Sequence, residues 1–155
     1  MNIRKHIKLR NMYRKITAIL LLLLLFVSCR KDDCYTPPEP VVFEFLDANN
    51  QNILANGTID ISKIVVKENL GNGKYQGVQL TAHENHRVKL ELLGRFNGSK
   101  SYVGVINLPS KAKTFEFGVK SSRIEGDCKG YRIDQIDFSN IAASKQPGFY
   151  RLVLD

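Results

Sequence analysis

From Val41 onward, apolar residues recur at every second position in short runs, each closed by Gly, Pro, Asn or Asp. Period two is the signature of a half-buried β-strand. The runs are Val41–Leu46, Thr58–Val66, Gln76–Thr81, His86–Leu93, Tyr102–Leu108, Thr114–Val119, Tyr131–Phe138 and Phe149–Leu154. Val88, Leu90 and Leu92, alternating with Lys89 and Glu91, give the cleanest pattern. The phase slips twice. Ile59 and Ile61 are out of step with Ile64 and Val66, and Ile133 with Ile136, so a break near Ser62-Lys63 and a bulge in the later strand are predicted. Turns are expected at Asp47–Asn52, Gly71-Asn72-Gly73-Lys74 and Pro147-Gly148, and a hairpin at Asn97-Gly98. Ile141–Ser144 reads as irregular, and Thr36-Pro37-Pro38-Glu39-Pro40 as extended linker. About eight strands and no convincing helix within 41–155 predict an all-β fold, a single β-sandwich.

The N-terminal pattern is of another kind. Ile16 to Val27 is a nearly unbroken apolar run of twelve residues, preceded by Arg4, Lys5, Lys8, Arg10, Arg14 and Lys15, with no acid among the first 28. That is short of the roughly 20 residues a spanning helix needs. It fits a cleaved secretory signal, positive and then apolar. The run ends in Phe26-Val27-Ser28-Cys29, which resembles the bacterial lipobox, with Phe26 where leucine is usual. The resemblance implies removal of residues 1–28, acylation of Cys29 and anchorage in a bilayer by lipid, with 29–40 as tether. Met12 offers a second start, leaving a signal of 17 residues. The next residues, Arg30-Lys31-Asp32-Asp33, make the stretch similar to the lipoprotein export signal of Bacteroidetes. That similarity implies that Lys31, Asp32 and Asp33 direct the protein to the outer face of the outer membrane. The overall plan resembles the small surface lipoproteins of that phylum.

Removing the signal changes the charge. The whole chain carries a net +8, but six of its 23 lysines and arginines lie before Cys29, so 17 cations face 15 acids beyond it, a balance of +2. No basic stripe remains for nucleic acid. With Cys29 acylated, Cys34 and Cys128 are an even pair, and an oxidising compartment predicts a disulfide between them. Its loop of about 95 residues corresponds to about 4.7 kcal/mol in the chain-entropy description. The five steps from Cys29 to Cys34 span at most about 17 Å, which would hold the domain close to the membrane.

Candidate chemistry is sparse. His83-Glu84-Asn85-His86 lacks the i, i+4 histidine spacing of helical zinc sites and lies between two strand-like runs, so it reads as a solvated hairpin loop. The acids alternate along strands and select no catalytic pair, and no Gly-x-Ser-x-Gly elbow or phosphate-binding glycine loop occurs. Neither a catalytic residue nor a metal or other cofactor is expected. Tyr75 and Phe96, each set among glycines, are the candidate ligand contacts. Asn56-Gly57-Thr58 and Asn97-Gly98-Ser99 read as Asn-Gly turns. The closing run Gly148-Phe149-Tyr150-Arg151-Leu152-Val153-Leu154 resembles the final strand of Ig-like and transthyretin-like modules, which implies a sandwich of that kind. The expected role is a non-enzymatic surface module that binds protein or glycan. The alternatives are an accessory subunit of an outer-membrane complex, docked through an edge strand, or an inhibitor of a hydrolase.

Overall fold

The alternating runs build two mixed sheets around one core. The computed structural model describes residues 34–126 and 128–154; Cys29, Lys31, Asp32 and Asp33 lie outside them. The strands are β1 (Tyr35–Thr36), β2 (Val41–Asp47), β3 (Ile64–Gly71), β4 (Lys74–Val78), β5 (Leu80–His83), β6 (Arg87–Leu90), β7 (Gly98–Asn107), β8 (Ala112–Ile124), β9 (Lys129–Ser139), β10 (Ala142–Gln146) and β11 (Phe149–Leu154). A 3-10 turn, Ile61–Lys63, precedes β3. One sheet runs β1-β9-β8-β7-β3-β4 and the other β10-β11-β2-β6-β5. Neighbours are antiparallel except β1 with β9 and β2 with β11.

The described residues hold eleven strands rather than about eight. The predicted run Gln76–Thr81 splits at Gln79, because β4 pairs with β3 in one sheet and β5 with β6 in the other. One strand changing sheets at a corner is how two packed sheets share an edge. Ile141–Ser144 was expected to be irregular, but Ala142–Gln146 pairs along its whole length with β11. Tyr35-Thr36, expected in the tether, pairs with Lys129-Gly130. That approach needs a glycine: a Cβ on Gly130 would sit 2.0 Å from the Thr36 carbonyl oxygen.

Both phase slips have physical counterparts. The 3-10 turn, with Asp60 Oδ1 accepting from the Ser62 amide at 2.8 Å, resets the chain before β3. In β9, Lys120 pairs with Gln135 but Ser121 with Ile133, so Asp134 is an extra residue. This bulge brings Ile133 and Ile136 onto the same face. Asn72 and Gly73, at φ 50° and 71°, make the two-residue β3–β4 hairpin. Asn97-Gly98 makes no hairpin; it leads from the five-stranded sheet into β7 of the other. β6 ends at Leu90, and Leu92, expected on its buried phase, turns outward at φ 60° while Leu93 fills the core.

Phe43 is at the centre of that core. Fully buried, it meets the rings of Phe45, Phe115, Phe117, Phe138 and Tyr150 at centroid distances of 6.1, 6.2, 5.3, 5.6 and 6.4 Å. β2 and β11 lie in one sheet, β8 and β9 in the other, so this ring cluster joins the sheets. Phe115 lies over its cross-strand partner Gly104, where any side chain would meet the ring at 2.2 Å. β2 is buried on both faces, so the outward Glu44 needs partners. Arg151 Nε donates to it at 2.7 Å, and Arg87, stacked 3.5 Å over the Phe149 ring, lies 3.7 Å away.

Candidate functional site

An open cleft of about 940 Å3 is lined by described residues. Three pieces of chain build it: the Gly57–Lys63 segment, the β5–β6 hairpin and the turn after β7. Short polar side chains satisfy the backbone of these pieces and so fix their shapes. Asn52 Oδ1 accepts from the amides of Leu54 and Ala55 at 2.9 and 3.0 Å, and its amide donates to the His86 carbonyl at 3.2 Å. Asn56 Oδ1 accepts from the Thr58 amide and hydroxyl. Asn107 donates to the Lys63 carbonyl at 3.3 Å, tying the end of β7 to the 3-10 turn.

His83 and His86 do belong to a hairpin loop. His83 pairs with Arg87, and Asn85 and His86 round the corner at φ 57° and 55°. Asparagine and histidine tolerate the left-handed region better than most residues. Both histidines line the cleft, as do Asp60 and Lys63 and the apolar Ile59, Ile61 and Leu108. The Asp60 carboxyl is held below its usual range, chiefly by the Ser62 hydroxyl and then by the Ser62 amide. Among the described residues no three histidine, cysteine or acidic side chains converge as a metal site. The lining combines imidazole, amide, ammonium and carboxylate with aliphatic carbon, suited to holding a ligand by hydrogen bonds and apolar contact.

This chain matches no family model, no curated protein and no solved structure.

Tyr75 and Phe96 are not brought together. Gln76 and Glu68 pair on the inner phase of the six-stranded sheet, shared with buried Val66, so Tyr75 and its partner Asn69 face outward. Tyr75 is 52% exposed on the edge strand β4. Phe96 instead packs half-buried against the core, with the Lys100 ammonium 5.0 Å over its ring. Lys100 in turn pairs with Glu68 at 2.6 Å, on the face opposite Tyr75. Neither aromatic lines the cleft. Sequence reading missed the cleft because its walls come from segments about 20 residues apart; the run of turn-forming asparagines and aspartates from Asp47 to Asp60 was its local signal.

Cys34 and Cys128 are joined in a disulfide. The bridge adjoins the two residue pairs of β1 with β9, so covalent bond and ladder together fix the start of the domain. A second groove, about 620 Å3, lies between β9 and β10. Beyond Gly130, β9 pairs with β8 on one side and with no described strand on the other. No helix among the described residues is long and apolar enough to cross a membrane.

Proposed function

We propose that this chain is a lipid-anchored lipoprotein of the bacterial outer membrane, exposed at the cell surface, that acts as a non-enzymatic binding module for protein or glycan. The observation that carries the reading is the Cys34–Cys128 disulfide. Such bonds persist in oxidising compartments outside the cytosol, and this one leaves Cys29, after the apolar run and Ser28, as the remaining cysteine of three. The binding site on this reading is the cleft beside His83 and His86, whose walls are fixed before any ligand arrives. We read the two sheets as a β-sandwich of Ig-like or transthyretin-like kind; the closing run Gly148–Leu154 supports this, since β11 lies beside the central β2.

The experiment is protease shaving of intact cells that express the full chain, Cys29→Ala, or Asp32→Ala/Asp33→Ala. The reading expects wild type to be membrane-bound and shaved, the cysteine variant to leave the membrane fraction, and the double variant to become protected. Wild type found in the soluble fraction would sink it. Captured glycan or protein should be lost when Leu108→Arg puts a charge into the cleft lining, and retained in Tyr75→Ser. A second reading, an accessory subunit docked through an edge strand, is favoured by the unpaired side of β9. It expects capture to survive Leu108→Arg and fail when Gln135→Pro interrupts that edge.

A further inference from the structure

We infer that Tyr35 and Leu92 form a lip that rests in the lipid headgroup layer, so that the domain sits on the bilayer rather than hanging free of it. The inference rests on the lipid-anchor reading of Cys29. Leu92 is 63% exposed, more than Tyr35, Val65, Leu70 or Tyr75, the other exposed large apolar side chains among the described residues. Its backbone is left-handed at φ 60°, a costly conformation for a bulky residue. The same turn that exposes Leu92 puts the neighbouring Leu93 in the core. Tyr35 is fixed by the β1–β9 ladder beside Lys129, yet its ring is 49% exposed.

The two residues share one edge of the molecule. Arg95 places its guanidinium 6.0 Å from the Tyr35 ring centroid. Leu92 and Arg95 line a shallow groove with Pro37 and Pro38, and a Cβ on Gly94 would lie 3.2 Å from that of Pro38. Tyrosine is the side chain suited to the headgroup level, with an apolar ring and a polar end. Leucine prefers the acyl boundary, and Arg95 can lay its methylenes along the lip while its charge reaches phosphate. Chain length keeps this edge within reach of the bilayer. Only Arg30 to Asp33 separate an acylated Cys29 from Cys34, whose neighbour is Tyr35. That stretch reaches at most about 17 Å, whereas the headgroup region on one side of a bilayer is about 5–8 Å deep.

The chain contains no tryptophan, so Leu92→Trp supplies a lone indole at an exposed position. Tyr75→Trp is the comparison: β4 lies at the opposite edge of the six-stranded sheet from β1, five strand spacings or about 24 Å away. Each lipidated full-length variant is reconstituted in phosphatidylethanolamine/phosphatidylglycerol vesicles, with and without brominated acyl chains, and floated. The indole of Leu92→Trp is expected to shift to shorter wavelength and to be quenched by bromolipid at least twofold more than that of Tyr75→Trp. Flotation with both indoles emitting as in water overturns the lip and leaves the anchor standing. Protein that fails to float overturns the anchor and the lip with it.

Discussion

Replacing Phe43 by alanine tests whether the core is a single interlocked cluster joining both sheets. Phe43 is fully buried and has five ring neighbours within 6.4 Å, drawn from β2, β8, β9 and β11. Truncating a buried phenylalanine costs about 3–5 kcal/mol, depending on how far the site collapses. Here the neighbours are rings carried by paired strands of two sheets, which cannot close a gap without breaking ladders elsewhere. The upper end of the range, about 4–5 kcal/mol, is expected, against a total of about 5–15 kcal/mol for a domain of this kind. At about 4 °C per kcal/mol, the melting temperature should fall by about 15–20 °C. Phe43→Leu keeps most of the volume and loses the ring edges, so about 1–2 kcal/mol is expected. Tyr75→Ala, on an exposed edge, should stay within about 0.5 kcal/mol of wild type. Urea unfolding followed by far-ultraviolet circular dichroism measures all three, with unchanged denaturant slope showing that stability alone has moved. A Phe43→Ala loss below about 2 kcal/mol, or one no larger than that of Phe43→Leu, would refute the reasoning.

Two further outcomes follow from the covalent and ionisable groups. Cys34→Ser/Cys128→Ser should cost about 3–5 kcal/mol, because the bridge closes most of the domain into one loop; thermal melting of wild type in reductant should match the variant, and a midpoint indifferent to reductant would count against this. At high pH, burial raises the phenols of both Tyr102 and Tyr150, with the charges of Glu68 and Glu39 as the respective second causes. A raised value means the fold favours the neutral phenol, so this stability is complete below about pH 10, the ordinary tyrosine value, and drains away above it. Absorbance at 295 nm should therefore show these two tyrosinates appearing together with unfolding; their appearance while the dichroism stays native would contradict the burial argument.

Strand positions were legible wherever a run had one wet and one dry face. β8 shows why: Phe115, Phe117 and Val119 are buried while Glu116 and Lys120 are exposed. The slips at Ser62-Lys63 and Ile133/Ile136 were legible for the same reason, since a broken period must be absorbed by an extra residue or a turn. The split at Gln79 was not, because Gln76–Thr81 carries no break in pattern; only the pairing partners on either side distinguish β4 from β5. β10 was missed because Ala142-Ala143-Ser144-Lys145-Gln146 has no alternation, and β11 alone makes it a strand. Leu92 misled by continuing the period of Val88 and Leu90 past the point where the backbone turns. The aromatics at Tyr75 and Phe96 could be placed near turns but not on faces, since register decides which side of a sheet a side chain occupies. The hairpin at His83–His86 was legible through its position between strands, whereas the cleft it borders depends on contacts with the distant turn after Asn107.

The parallel pairing of β2 with β11 sets an order of assembly. β2 is the middle strand of its sheet, flanked by β6 and by β11, which begins about 100 residues further along the chain. A chain delivered N-terminus first therefore presents its most apolar strand with one hydrogen-bonding edge bare until β11 arrives. Bare edges of this composition attract other chains. The fold thereby leaves its five-stranded sheet incomplete until β11 is in place.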